Sequence, residues 1–129
     1  MIQQFLINGK EYNVHVMDLT QNFEIKDAID MIYTQDGGIY RDPLGTYFNY
    51  TMTIAEKDGD REALDAFFDE ISKPVKSHVC VFPHNQETMT QNMYVISGSR
   101  SIRLLKENAI HWGEIKINFV ARAPKVVAE

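Results

Sequence analysis

Residues 58–71, DGDREALDAFFDEI, decide how the rest of the chain is read. Leu64, Phe67, Phe68 and Ile71 recur at i, i+3, i+4 and i+7, the apolar stripe of a helix that lies on a larger body. Asp58 or Asp60 is placed to cap its start, and an acidic first turn suits the helix dipole. Ser72-Lys73-Pro74 stops it, because proline forces its predecessor out of helical backbone angles. The spacing predicts one packed helix over about residues 59–72. Helical periodicity wins clearly nowhere else.

Outward from the helix, the chain alternates as strand. In Thr46 to Ala55, Phe48, Tyr50, Met52 and Ile54 alternate with Tyr47, Asn49, Thr51 and Thr53, a strand of the core sheet. Before it, TQDGGIYRDPLG carries Asp36-Gly37-Gly38, Asp42-Pro43 and Gly45, which reads as a loop or an open hairpin. Thr20 to Ile32 is ambiguous: Phe23 and Ile25 fit a continuing strand, and Asp27 to Ile32 fits a helical turn or an extended piece. Near the start, Asn8-Gly9 favours a tight turn with two positive φ values, flanked by residues 2–7 and 10–17 as hairpin arms. In the second arm Tyr12, Val14 and Val16 share the inward face.

On the other side of the helix, His78 to Phe82 is a short apolar strand ending at Pro83, and HNQETMTQN is a polar connection without periodicity. Asn92 to Ser99 and Ser101 to Leu105 form one long strand, or two broken at Gly98, and Lys106 to Asn108 makes a turn. His111 to Ala121 puts Ile115, Ile117, Phe119 and Ala121 inward. Strands interrupted by one helix, without regular alternation, predict an α+β, mainly β fold: an antiparallel β-sandwich or rolled sheet with one packed helix.

The 129 residues fit a single domain, 1–129, with a core that needs no disulfide or metal. A net charge of -5 argues against general affinity for nucleic-acid phosphates. One cysteine excludes an intramolecular disulfide and a cysteine-rich zinc site. The start lacks a secretory signal, and no apolar run is long enough to span a bilayer. A chain made soluble in the cytosol, with no membrane partner, is expected.

Four groups of residues are candidates for chemistry. His78, Cys80 and His84 are the most tempting ligand set, but their spacing matches no zinc pattern, and a small buried hydrophobe explains Cys80. Asp58, Asp60 and Glu62 fall outside the calcium-loop register and read as a cap. Asp65, Asp69 and Glu70 read as a solvated helix face. Gly37-Gly38 lacks a phosphate-loop pattern. No catalytic residue, metal or cofactor is expected, and the chain reads as a non-enzyme. The segment from Gly37 to Tyr47 is better suited to association, because Tyr and Arg are the residues that most often anchor interfaces. The candidate oligomer contacts are Gly37, Gly38, Tyr40, Arg41, Asp42, Leu44 and Tyr47.

The INGK turn at Ile7 to Lys10, GGIYRDPLGTY at Gly37 to Tyr47, the helix ending before Pro74 and the closing WGEIKINFVARAP at Trp112 to Pro124 resemble a family. It is that of small tail-associated structural proteins of tailed phages and prophages, tail-tube or distal-tail-like. The resemblance covers most of the chain. It implies a β-sandwich or rolled sheet flanked by one helix, a homo-oligomeric and commonly hexameric ring, and sheet edges paired across subunits. It also implies other tail proteins as partners and a place in the virion tail after synthesis in the host cytoplasm. The chain departs from the family in length, lacking the insertions or second domain that such proteins often carry. The alternative reading is a small ligand- or carbohydrate-binding β-domain using exposed tyrosines, and a third is a metal or thiol hydrolase built on His78, Cys80 and His84.

Overall fold

The computed structural model describes residues 5–27, 32–33, 39–40, 43–106 and 109–127. Helix α1 spans Arg61–Ile71, two residues shorter at its start than the spacing predicts. Asp60 is the cap: its side chain accepts from the Ala63 amide at 3.1 Å. Asp58 and Gly59 instead form the turn before it, both with positive φ. Leu64, Phe67 and Ile71 are buried.

The strands are β1 (Leu6–Ile7), β2 (Val14–Asp27), β3 (Ile32–Tyr33), β4 (Ile39–Tyr40), β5 (Pro43–Glu56), β6 (His78–His84), β7 (Glu87–Tyr94), β8 (Gly98–Lys106), β9 (Ala109–Ala121) and β10 (Val126–Val127). All pairings are antiparallel. Eight strands make one sheet with the path β1-β6-β7-β9-β5-β10, while β2 adds to β5 and β8 to β9. The fold is therefore antiparallel and mainly β with one helix, and its sheet does not close into a barrel.

Strand β9 is the hinge of the architecture. Ile115 and Ile117 pair with β5 on one side and with β8 on the other, while Val120 and Ala121 pair with β7. The sheet thereby rolls β1, β6 and β7 over the inner face of β5 and β9. Tyr50 stacks on Phe82 with ring centroids 4.5 Å apart, and Phe82 meets Phe119 at 5.1 Å. Phe67 of the helix meets Phe5 at 5.7 Å and Tyr12 at 5.3 Å edge to face. Such aromatic contacts add about 0.5–1.5 kcal/mol each beyond area burial.

Three expectations change and one open alternative is resolved. Asn8 and Gly9 do take positive φ and Ile7 bridges Lys10, but the hairpin is only that long. Its arms part, β1 joining β6 and β2 joining β5. Thr20 to Asp27 continues β2, the strand that Phe23 and Ile25 allowed, and residues 28–31 lie outside the described residues. The supposed polar connection after His84 is a two-residue turn at Asn85 and Gln86 followed by β7, with Met89 and Met93 buried. Finally, the break between the later strands lies at Val95 to Ser97, and Gly98 opens β8. The Lys106 to Asn108 turn falls partly outside the described residues, although Lys106 pairs with Ala109 across it.

Candidate assembly surface

Because the side-chain period of a strand is two, Tyr50, Met52 and Ile54 define the core face of β5, and Phe48 and Thr46 continue it. Their partners on β2 are Leu19 opposite Met52, Gln21 opposite Tyr50, Phe23 opposite Phe48 and Ile25 opposite Thr46. The rolled-over layer ends sooner. Tyr50 donates from its hydroxyl to the Pro83 carbonyl at 2.8 Å, and the Gln21 amide donates to that hydroxyl at 2.8 Å. Gln21 also lies 2.8 Å from Nδ1 of His84, whose ring packs edge to face on Phe48. These polar groups close the mouth of the core. Burial pushes the Tyr50 phenol up, and the Gln21 hydrogen bond acts in the opposite direction.

Past that mouth β2 and β5 run on as a ribbon to the Asp27–Pro43 pair. At about 3.4 Å per residue the five steps from Asn22 to Asp27 extend it by about 17 Å. Its core-type face is uncovered: Phe23 is 66% exposed and Ile25 44%, and Leu44, at a bulge, is 46% exposed. Val126 and Val127 of β10 support the base by pairing with Thr46 and Gly45.

Of the sequence-predicted contact residues, Leu44 and Tyr47 lie on β5 of this ribbon. Gly37, Gly38, Arg41 and Asp42 lie outside the described residues. The backbone of Tyr40 belongs to β4, paired with Ile32. Leu44 is exposed on β5, and Tyr47 is half-buried with the Lys26 ammonium 4.7 Å above its ring. Phe23 and Ile25 complete the exposed apolar face, and the sequence reading did not single them out. Their alternation was the available signal, and it became decisive only once β2 was paired with β5.

The two outer strands of the β2–β5–β9–β8 layer are a second candidate association feature. Among the described residues β2 pairs with β5 alone and β8 with β9 alone. Since residues 115–117 of β9 contact both β5 and β8, the unpaired edges of β2 and β8 face opposite ways. Open edges are templates for pairing with another chain.

The other candidate groups are absorbed by the fold. His78 is buried and its Nδ1 is 2.9 Å from the Asn8 amide nitrogen. The Cys80 thiol is buried, its pKa pushed up to about 12 by that burial. His84 is held by Gln21 and Phe48. Among the described residues no cluster of His, Cys, Asp or Glu could hold a metal ion, and no helix is long and apolar enough to cross a membrane. On the helix, Asp65 pairs with Arg100 at 3.1 Å, whose guanidinium lies 3.9 Å from both the Phe68 and Trp112 ring centroids. Glu70 is engaged rather than merely solvated, bonded to Asn8 and Lys73 at 2.7 Å each.

No family model and no curated protein sequence matches this chain. Among solved structures it is similar to a chain of a particle described as the virion of a native gene transfer agent, at 14% identity and a TM-score of 0.46, covering 89% of this chain and 85% of that one.

Proposed function

We propose that this chain is a non-enzymatic structural protein of a tailed-phage or prophage tail, which self-assembles into a ring or tube through its ribbon and its sheet edges. The observation that carries the reading is the pairing pattern of the β2–β5–β9–β8 layer. Among the described residues it leaves unpaired edges on opposite sides of one subunit, with an exposed apolar ribbon beside one of them. Two different surfaces meeting head to tail make a heterologous contact, which closes into a ring when the rotation permits. Pairing β2 of one copy with β8 of the next satisfies both edges at once, and the ribbon reaches beyond its own subunit to cover Phe23 and Ile25 on a neighbour. A hexamer is the ring size that the family resemblance implies. Other tail proteins are the corresponding partners.

Replacing Arg41 with Glu tests the Gly37 to Tyr47 segment as a contact by light scattering. The expected result is a smaller assembly with an unchanged circular-dichroism spectrum. An unchanged oligomer size removes this segment from the contact.

A further inference from the structure

The turn at Asn8 is fastened to the sheet and the helix by a set of hydrogen bonds that admits only one protonation state of His78. The backbone amide of Asn8 donates to the Val79 carbonyl at 2.7 Å, and the side-chain Oδ1 accepts from the Val79 amide at 2.9 Å. A backbone N–H can only donate, so this contact fixes which end of the Asn8 amide is oxygen. The two protons on Nδ2 then go to Oε1 of Glu70 at 2.7 Å and to Nδ1 of His78 at 2.9 Å. Nδ1 therefore presents a lone pair, and the buried imidazole is neutral with its proton on Nε2.

We infer that His78 and Asn8 form an acid-released latch holding the N-terminal turn and β1 against β6. Protonating His78 places an N–H against the Asn8 NH2, two donors with no acceptor between them. Flipping the Asn8 amide merely transfers the conflict to the Val79 N–H. No orientation of Asn8 satisfies both neighbours once the imidazole is charged, so its side chain leaves the site. Letting go there loosens Leu6 and Ile7 from Val81 and Cys80 and opens the outer edge of β6.

The surroundings reinforce the release. From α1, the Glu70 carboxylate is held below its usual range first by Lys73 and then by Asn8, and it lies within electrostatic reach of His78. It remains charged through the window in which imidazoles titrate, about pH 5–8, and offers the new imidazolium an acceptor. Lys73 faces the site through its ion pair with Glu70. Tyr12, facing from the segment before β2, has its phenol pushed up by burial and then by Glu70, and stays neutral there. On β7 the residue opposite His78 is Met93, which carries no charge, and Cys80 on β6 itself stays a thiol.

Selective 15N-histidine labelling and amide exchange of the intact chain test the latch. The expected wild-type result is an Nε2–H tautomer of His78 at pH 7.5. On acidification from about pH 8 to 5 the protection factor of the Val79 amide should fall, with a slope of at most tenfold per pH unit, the limit that one-proton linkage sets. In His78→Gln, whose carbonyl accepts from Asn8 without titrating, protection should stay flat across that range. An Nδ1–H tautomer at pH 7.5, or Val79 protection that does not fall on acidification, overturns the inference from the wild-type protein alone. The latch does not depend on the assembly reading, and neither result bears on ring formation.

Discussion

Phe23 stands directly opposite Phe48 in the β2–β5 ladder, on the same face, yet the two meet different surroundings. The ring of Phe48 packs against His84, 4.9 Å away, while Phe23 is 66% exposed. One rung of a strand pair separates core from protrusion. The boundary is set by the end of β6, since nothing beyond His84 in that strand remains to cover the face that β2 and β5 share.

Truncation on either side of this boundary should differ sharply. Phe67→Ala, at a fully buried position against Phe5 and Tyr12, is expected to cost about 3–5 kcal/mol in urea unfolding. Phe23→Ser should stay within about 0.5 kcal/mol of wild type under dilute conditions, as surface changes do. Equal costs would mean that Phe23 belongs to the monomer's core.

Tyr50→Phe removes the hydroxyl that joins Gln21 to the Pro83 carbonyl while leaving the stack on Phe82. A loss of about 0.5–1.5 kcal/mol is expected, because two part-buried hydrogen bonds are removed. Urea denaturation gives the value, and a neutral substitution would show that water replaces the hydroxyl without cost.

Arg100 lies between Phe68 and Trp112 and ties β8 to the helix through Asp65. Arg100→Lys should shift Trp112 fluorescence and lower stability by about 1 kcal/mol, since an ammonium cannot stack as the planar guanidinium does. Unchanged emission would contradict the stacked geometry. Trp112 is the only tryptophan, so the signal is unambiguous.

The helix was legible because its stripe, cap and terminating proline are all local. So was β9, with its inward set from Ile115 to Ala121. The Asn8-Gly9 turn was legible for the same reason, but the fate of its arms was not: β1 pairs with residues some seventy positions away, and no local pattern encodes that choice. Strand β7 was hidden by Gln91, which sits between the buried Met89 and Met93 and donates to the Phe48 carbonyl. A polar residue at an inward position erased the alternation. The proposed contact surface was half legible: Tyr and Arg drew attention to the loop, but Phe23 and Ile25 gained meaning only from their register against β5.

Cys80 supplies a pH prediction. Its thiol ionises near 9 in an unconstrained chain and near 12 in the fold, so above pH 9 the unfolded state loses a proton that the native state keeps. Stability is therefore fully present below about pH 9 and declines as pH rises toward 12. Tyr12 and Tyr50, also raised, steepen the loss. Cys80→Ala should flatten the first part of that decline in alkaline urea titrations. The native thiol should also resist alkylation at pH 8 and react once unfolded.

Self-association is the claim on which the functional reading stands. Sedimentation velocity across a concentration series, run on wild type beside Phe23→Asp/Ile25→Asp, measures it directly. The account predicts that the wild type forms a closed assembly of defined size, and that the double variant sediments as a monomer with wild-type circular dichroism. A wild type that stays strictly monomeric at the highest concentration would contradict it.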